Sequence, residues 1–377
     1  MASAVKSKRG EFGSPRLPAK ELDMLSIASG ATPKAGLDYQ ALVTRRLFFL
    51  LIIFCVLLVV VVLDVLVGPA FLPFGDVLSV FTGPDASVSP TTRVIVHEIR
   101  LPMTLMSMIV GASLGIAGLQ MQTILGNPLA SPYTLGFSAA AGFGAAACIL
   151  FGFQLPFLEH LTIPVVAFLS AGLACAMVYG FAYIKGNTAE VMILAGIATL
   201  FLFQSLQSLV QYMAAPEVLQ EIVFWLFGSM LKASWFSITV SGSILAFSVI
   251  LILPDLWKLT ALRLGDDRAQ SLGVNVRLIR FKIFAIVSLL TAGAVSFVGT
   301  IGFVGLVAPH MARMLVGEDQ RLLLPASAGM GALVMVSASM GSKLINPGAV
   351  IPIGIVTAVI GVPFLFILLL KSKRSFW

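Results

Sequence analysis

The sequence predicts an all-α protein that crosses a membrane about ten times. Three observations lead there. Of 377 residues, 58% are hydrophobic and only 11% charged, against about 25% charged in an ordinary soluble domain. The apolar residues fall in continuous runs near the roughly 20 residues that a helix needs to cross a bilayer core about 30 Å thick. The basic residues collect on alternate connections, as they do in helical membrane proteins. A β-barrel would instead show short segments of alternating polarity.

Residues 1–45 are rich in Lys, Arg, Ser, Gly and Pro, with Glu11, Glu21, Asp23 and Asp38 interrupting the positive charge. Such a composition buries too little apolar surface to order itself, so a disordered cytoplasmic tail is expected. No cleavable signal is expected either, because the first apolar run begins too far into the chain. Residues 46–377 are expected to form one transmembrane domain. Its spans are placed at 46–67, 100–122, 133–152, 162–184, 189–212, 233–254, 279–298, 301–316, 322–341 and 351–371.

The first span carries one charge, Asp64, near its outer end. Gly111 and Gly115, and likewise Gly299, Gly302 and Gly305, signal close approach of helix backbones. The outer loop Gly68–Ile99 holds Pro69, Pro73, Pro84 and Pro90 and is expected to be irregular. On the inner side, Asp255–Arg280 is the longest polar stretch within the membrane domain. Asp266 and Asp267 suit a helix N-terminus, where the macrodipole favours negative charge. Gly273 suits the residue just past a helix end. A short helix outside the lipid is therefore expected between spans six and seven. In isolation it would be marginal, so it must pack against the rest of the chain or a partner.

Placing the N-terminus in the cytoplasm leaves only Arg93, Arg100, Lys232 and Lys343 of the 24 basic residues on the outer side. An even number of spans then puts both termini in the cytoplasm. The net charge of +7 sits in loops and tails, which argues against a nucleic-acid surface.

No catalytic constellation is present. Gly341-Ser342-Lys343 lacks the upstream glycine of a phosphate loop, since position 336 is valine. His97, His160 and His310 are dispersed, so no metal site is expected. Cys55, Cys148 and Cys175 lie in apolar runs and are expected to be small buried hydrophobes. The span interiors are nearly free of the ionisable groups that proton- or sodium-coupled transporters use. If the chain transports, an external motor is favoured. In span five, Gln204, Ser208 and Gln211 share one helical face. They either line a polar path or bond neighbouring helices.

An ordered set of motifs resembles the permeases of iron–siderophore, haem and vitamin B12 ABC importers, the FecCD or BtuC-like family. It runs from about Ile99 to Lys371. Its pieces are Arg100-Leu101-Pro102, Val110-Gly111-Ala112, Asn127-Pro128-Leu129-Ala130, Leu194-Ala195-Gly196 and Trp225-Leu226-Phe227-Gly228-Ser229. They continue with Ser271-Leu272-Gly273-Val274, Gly302 to His310 with Arg313, Leu323-Leu324-Pro325, Pro352-Ile353-Gly354 and Gly361-Val362-Pro363.

The resemblance implies a type II importer permease in the inner membrane of a bacterium. It would work as a homodimer, with two cytoplasmic ATPase subunits below and a periplasmic binding protein above. ATP and magnesium would belong to the ATPase, leaving this chain without a cofactor or an enzymatic activity. The short helix becomes the coupling element, with Arg263, Asp266, Asp267, Arg268, Leu272 and Gly273 meeting the motor. Arg100 and Lys343 would receive carboxylates of the binding protein, or Lys343 would reach toward lipid headgroups. Gln204, Ser208 and Gln211 would border the translocation path. His310 and Arg313 would pin inner helix ends. The implied cargo is a ferric siderophore or haem, with vitamin B12 the alternative and an ion-coupled secondary transporter the competing class. Gly126, Gln320, Ser339 and Val350 depart from the family pattern. The last two put in doubt whether the outer gate and docking surface follow it.

Overall fold

A computed structural model describes residues 33–68, 72–82, 89–156, 161–345 and 349–371. Contacts within the chain divide it into Met1–Arg45 and Arg46–Trp377. Most of the expected tail, residues 1–32, lies outside the described residues, as do Pro69, Pro84 and His160.

All regular structure among the described residues is helical. In chain order the helices are α1 (Pro33–Leu66), α2 (Phe74–Thr82), α3 (Pro90–Ile124), α4 (Phe137–Phe151), α5 (Thr162–Ile184), α6 (Ala189–Met213) and α7 (Pro216–Phe227). There follow α8 (Trp235–Leu262), α9 (Asp266–Ser271), α10 (Val276–Val298), α11 (Val304–Val316), α12 (Gln320–Leu344) and α13 (Ile353–Lys371). Seven are long and apolar enough to cross a membrane, and the shorter α4, α11 and α13 complete the expected ten.

Burial sorts these helices into a centre and a rim. The apolar windows of α3, α10 and α12 are 72%, 72% and 67% buried, whereas those of α1, α5, α6 and α8 are 22–28% buried. Missing side chains build the centre. A Cβ on Gly111 would strike the carbonyl of Gly331, one on Gly115 that of Ser327, and one on Gly118 that of Gly305. Backbone therefore lies on backbone where α3 meets α12 and α11. That contact substitutes for the hydrophobic driving force, which is absent between helices in lipid.

Four local expectations need correction. Helix α1 starts at Pro33, so the end of the segment expected to be disordered is helical. The outer loop is not wholly irregular, because α2 forms within it. Span two starts at Pro90: Ser89 caps the helix by accepting from the Thr92 amide at 3.1 Å, and proline at the first helical position is pre-organised for it. Helix α7 lies between spans five and six, where no element was expected. Pro216 at its first turn is the signal that marks its start.

Candidate functional site

Helix α9 is bracketed by Gly265 at φ 99° and Gly273 at φ 82°, a backbone region that glycine enters without steric cost. The chain therefore turns sharply into and out of a two-turn helix, as the sequence predicts. Its charged residues divide differently from expectation. Asp266 faces the bundle, 2.9 Å from Arg280 Nη1. Arg280 also donates to the carbonyls of Ile124 at 2.9 Å and Asn187 at 3.3 Å. One guanidinium thus ties α9 to the end of α3 and to the turn before α6. Arg263 pairs with Glu318 at 2.7 Å, and Glu318 also pairs with Arg313 at 3.1 Å. Arg313 donates to Gln122 of α3 at 3.0 Å.

Asp266 and Arg263 thus make ion pairs within the chain while staying partly exposed. Asp267, Arg268, Leu272 and Gly273 remain exposed, with Leu264 and Leu278 adding apolar surface beside them. Arg280 and Glu318 were not anticipated. Arg280 reads from sequence as one more inner-loop cation. A cavity of about 520 Å³ opens here, edged by Glu190, Arg263, Asp266, Arg280, Arg313 and Glu318.

At the opposite end of the bundle, Arg100 and Lys343 do not project outward. They are 2% and 3% exposed. Lys343 Nζ lies 2.8 Å from Asp64 Oδ2 and 3.0 Å from the Asp64 carbonyl. Thr104 donates to the same carboxylate oxygen at 2.5 Å and Ser339 at 3.2 Å. Oδ1 is buried with no hydrogen bond among the described residues. Arg100 donates to the carbonyls of Val65 and Leu66 at 3.2 and 2.7 Å. The lipid-facing reading of Lys343 is therefore overturned, and neither cation is presented for docking in this conformation.

Local structure gives the reason. Ile95–Arg100 is a π-helical turn. The wider turn holds an extra residue, which rotates the remainder of α3 by about 100° relative to a regular α-helix. Ser339 was anticipated as a departure; here it joins the carboxylate supplied by α1.

On α6, Gln204 and Ser208 are exposed and Gln211 half-buried, so this face is not used for bonding within the chain. His310 stacks edge-on against Phe364, ring centroids 6.3 Å apart. Gln320 is fully buried and donates to Thr123 at 2.8 Å. Gly126 adopts φ 60° at the end of α3, a turn that glycine suits. Of the cysteines, Cys148 is buried but Cys55 is exposed, contrary to expectation. No cluster able to hold a metal occurs among the described residues.

These features define a class: a polytopic helical membrane protein with a short exposed helix at one end and a buried charge cluster at the other. The chain belongs to the FecCD transport family, which matches residues 56–371; it is an ABC importer permease. An ABC transporter permease of Methanocaldococcus jannaschii is 39% identical over 75% of this chain and 83% of its own. An iron chelatin transport system permease of Helicobacter pylori is 36% identical over 74% of this chain and 83% of its own. The solved structure of a metal-chelate type ABC transporter, in an inward-facing conformation, superposes with a TM-score of 0.76 at 30% identity. It covers 86% of this chain and 99% of that one. Other relatives are named for import of iron(3+)-hydroxamate, cobalamin, hemin and molybdate.

Proposed function

We propose that this permease imports a metal chelate, foremost a ferric siderophore or haem, as one of two copies around a shared path. Two cytoplasmic ATPase subunits drive it through the outward face of α9. A periplasmic binding protein delivers the cargo, and both termini of the permease lie in the cytoplasm of a bacterium. The path reading is carried by the uncovered polar face of α6, with Gln204 and Ser208 exposed on a helix only 22% buried. Polar side chains facing hydrocarbon are unfavourable, whereas the same face opposed to a second copy lines a wet channel. The chelate reading rests on similarity to the chelate transporter and on the iron-chelate name of a relative. Cobalamin is the second cargo, for which another relative is named.

The chain supplies no bond chemistry in this mechanism. The motor and the binding protein stabilise different conformations, and the permease alternates between them. Reconstitution with partner ATPase and binding protein in liposomes tests the reading. ATP-dependent accumulation of ferric hydroxamates or haem above that of cobalamin and molybdate is expected. Concentrative uptake by the chain alone, driven by protons or sodium, would overturn it.

A further inference from the structure

Helices α5 and α8 both pack on α10, one on each side. Ala167 and Ala171 of α5 meet Ala292 and Val295. From α8, Ser241 donates to the Gly293 carbonyl at 2.9 Å, and Ile244 fills the space that a Cβ on Gly293 would need. Toward the end opposite α9, Phe297 of α10 props α8 away through an edge contact with Phe236, ring centroids 6.5 Å apart. The two rim helices therefore part, and α10 becomes the floor of a groove.

The groove has two continuous parts. The deeper holds about 270 Å³ and is lined by Val165, Phe168, Leu169, Val240, Ile244 and Phe297. The outer holds about 400 Å³ and shares Pro164, Phe236 and Phe297 with it, adding Trp225, Lys232 and Ser234 at the mouth. Among the described lining residues there is no carboxylate. From Trp235 to Ile244 a helix rises roughly 14 Å, about half of a bilayer core. The groove is thus as deep as one leaflet, apolar along its length, and carries an exposed cation where headgroups lie, with exposed Trp235 beside it.

We propose that this groove holds one acyl chain of a phospholipid whose anionic headgroup rests on Lys232. The apolar walls alone do not select an occupant, because surrounding lipid is equally apolar. Retention comes from chain atoms filling a concavity that would otherwise lack contact partners, and headgroup preference comes from the lysine. A single basic residue at an anionic membrane surface corresponds to about a five-fold preference for phosphatidylglycerol over phosphatidylcholine.

Trp225 reports on occupancy. It lines the mouth yet is only 4% exposed, so bulk lipid does not reach it. With Trp235, Trp257 and Trp377 replaced by phenylalanine, the full chain is placed in nanodiscs holding brominated-chain phosphatidylglycerol. Quenching of Trp225 is expected. It should fall to the unbrominated baseline in Ser296→Leu, at a residue of α10 that lines both parts of the groove, and in Val165→Phe, which fills the deeper part, should the first variant fail to fold. Lys232→Gln should reduce the phosphatidylglycerol preference about five-fold and leave quenching by brominated phosphatidylcholine intact. Absent quenching in the parent, or equal quenching in a folded filled variant, overturns the proposal. So does loss of self-association in the filled variants, which would make a second copy the occupant.

Discussion

Lys343→Met is the most exposing test of how this permease holds its charges. The Lys343 and Asp64 side chains are 1% and 0% exposed and 2.8 Å apart. Removing the ammonium leaves a carboxylate in a site closed to water, hydrogen-bonded to Thr104 and Ser339 and with the buried Arg100 guanidinium as its remaining cation. Breaking such a pair from one side costs about 3–5 kcal/mol, whereas replacing both members with uncharged groups is often neutral or stabilising. At roughly 2–4 °C per kcal/mol for a domain somewhat smaller than this one, Lys343→Met should lower the unfolding midpoint by about 5–15 °C. The Asp64→Asn, Lys343→Met double variant should recover most of that loss. The assay is thermal unfolding of the purified protein in detergent at fixed scan rate, with all four members of the cycle measured together. A single variant that melts with the parent would show that the pair is not closed in solution. A double variant as unstable as the single would show that the loss is packing, not an unpaired charge.

Three further outcomes are expected from the same geometry. Gly118→Val should abolish accumulation of folded protein, judged by size-exclusion yield from membranes, because its Cβ would meet the Gly305 backbone; Gly242→Ala, whose nearest neighbour is Ile109 at 3.5 Å, is the control and should express normally. Leu272→Ala changes an exposed side chain and should leave stability within about 0.5 kcal/mol, yet lower the uptake obtained per ATP hydrolysed in the reconstituted complex; unchanged coupling would remove α9 from motor contact. Glu318→Gln weakens the pairings with Arg263 and Arg313. Its carboxylate is half exposed, so stability should change little, while uptake falls; a large drop in unfolding midpoint with normal uptake would make the network structural only.

Much of this was legible in the chain because lipid enforces simple rules. Continuous apolar runs gave the spans, and glycines gave the contacts of α3 correctly at Gly111 and Gly115. Gly273 marked the end of α9. What stayed hidden depends on long separations and on local twist. Asp64 and Lys343 stand 279 positions apart, so nothing local tells an outer-face lysine from a buried partner. The direction of Arg100 turns on a π-helical insertion that no residue type announces. Asp266 satisfied a helix-start rule, but nothing local announces its pairing with Arg280, 14 positions on. The polar face of α6 was visible as a period, but its exposure depends on which neighbours the fold withholds.

The two ends of the molecule differ in a way that bears on how work enters it. Around α3 the helices touch through backbone atoms, and a close-packed contact of this kind has no slack for gradual sliding. The centre therefore moves as a body or not at all. Helix α9 is held to the bundle by its buried Ala269 and by the pairing of Asp266 with Arg280. The same guanidinium grips the Asn187 carbonyl. Asn187 sits at φ 58°, and the next residue, Thr188, caps α6 by accepting from the Val191 amide at 3.4 Å. A force that displaces α9 and leaves these bonds intact must therefore bear on the first turn of the helix that carries Gln204 and Ser208. At the far end α1 is locked to α3 and α12 by buried charge, so the reaction to that force is taken by the rigid centre. Helix α6, only 22% buried in the single chain, is the span on which that force would bear.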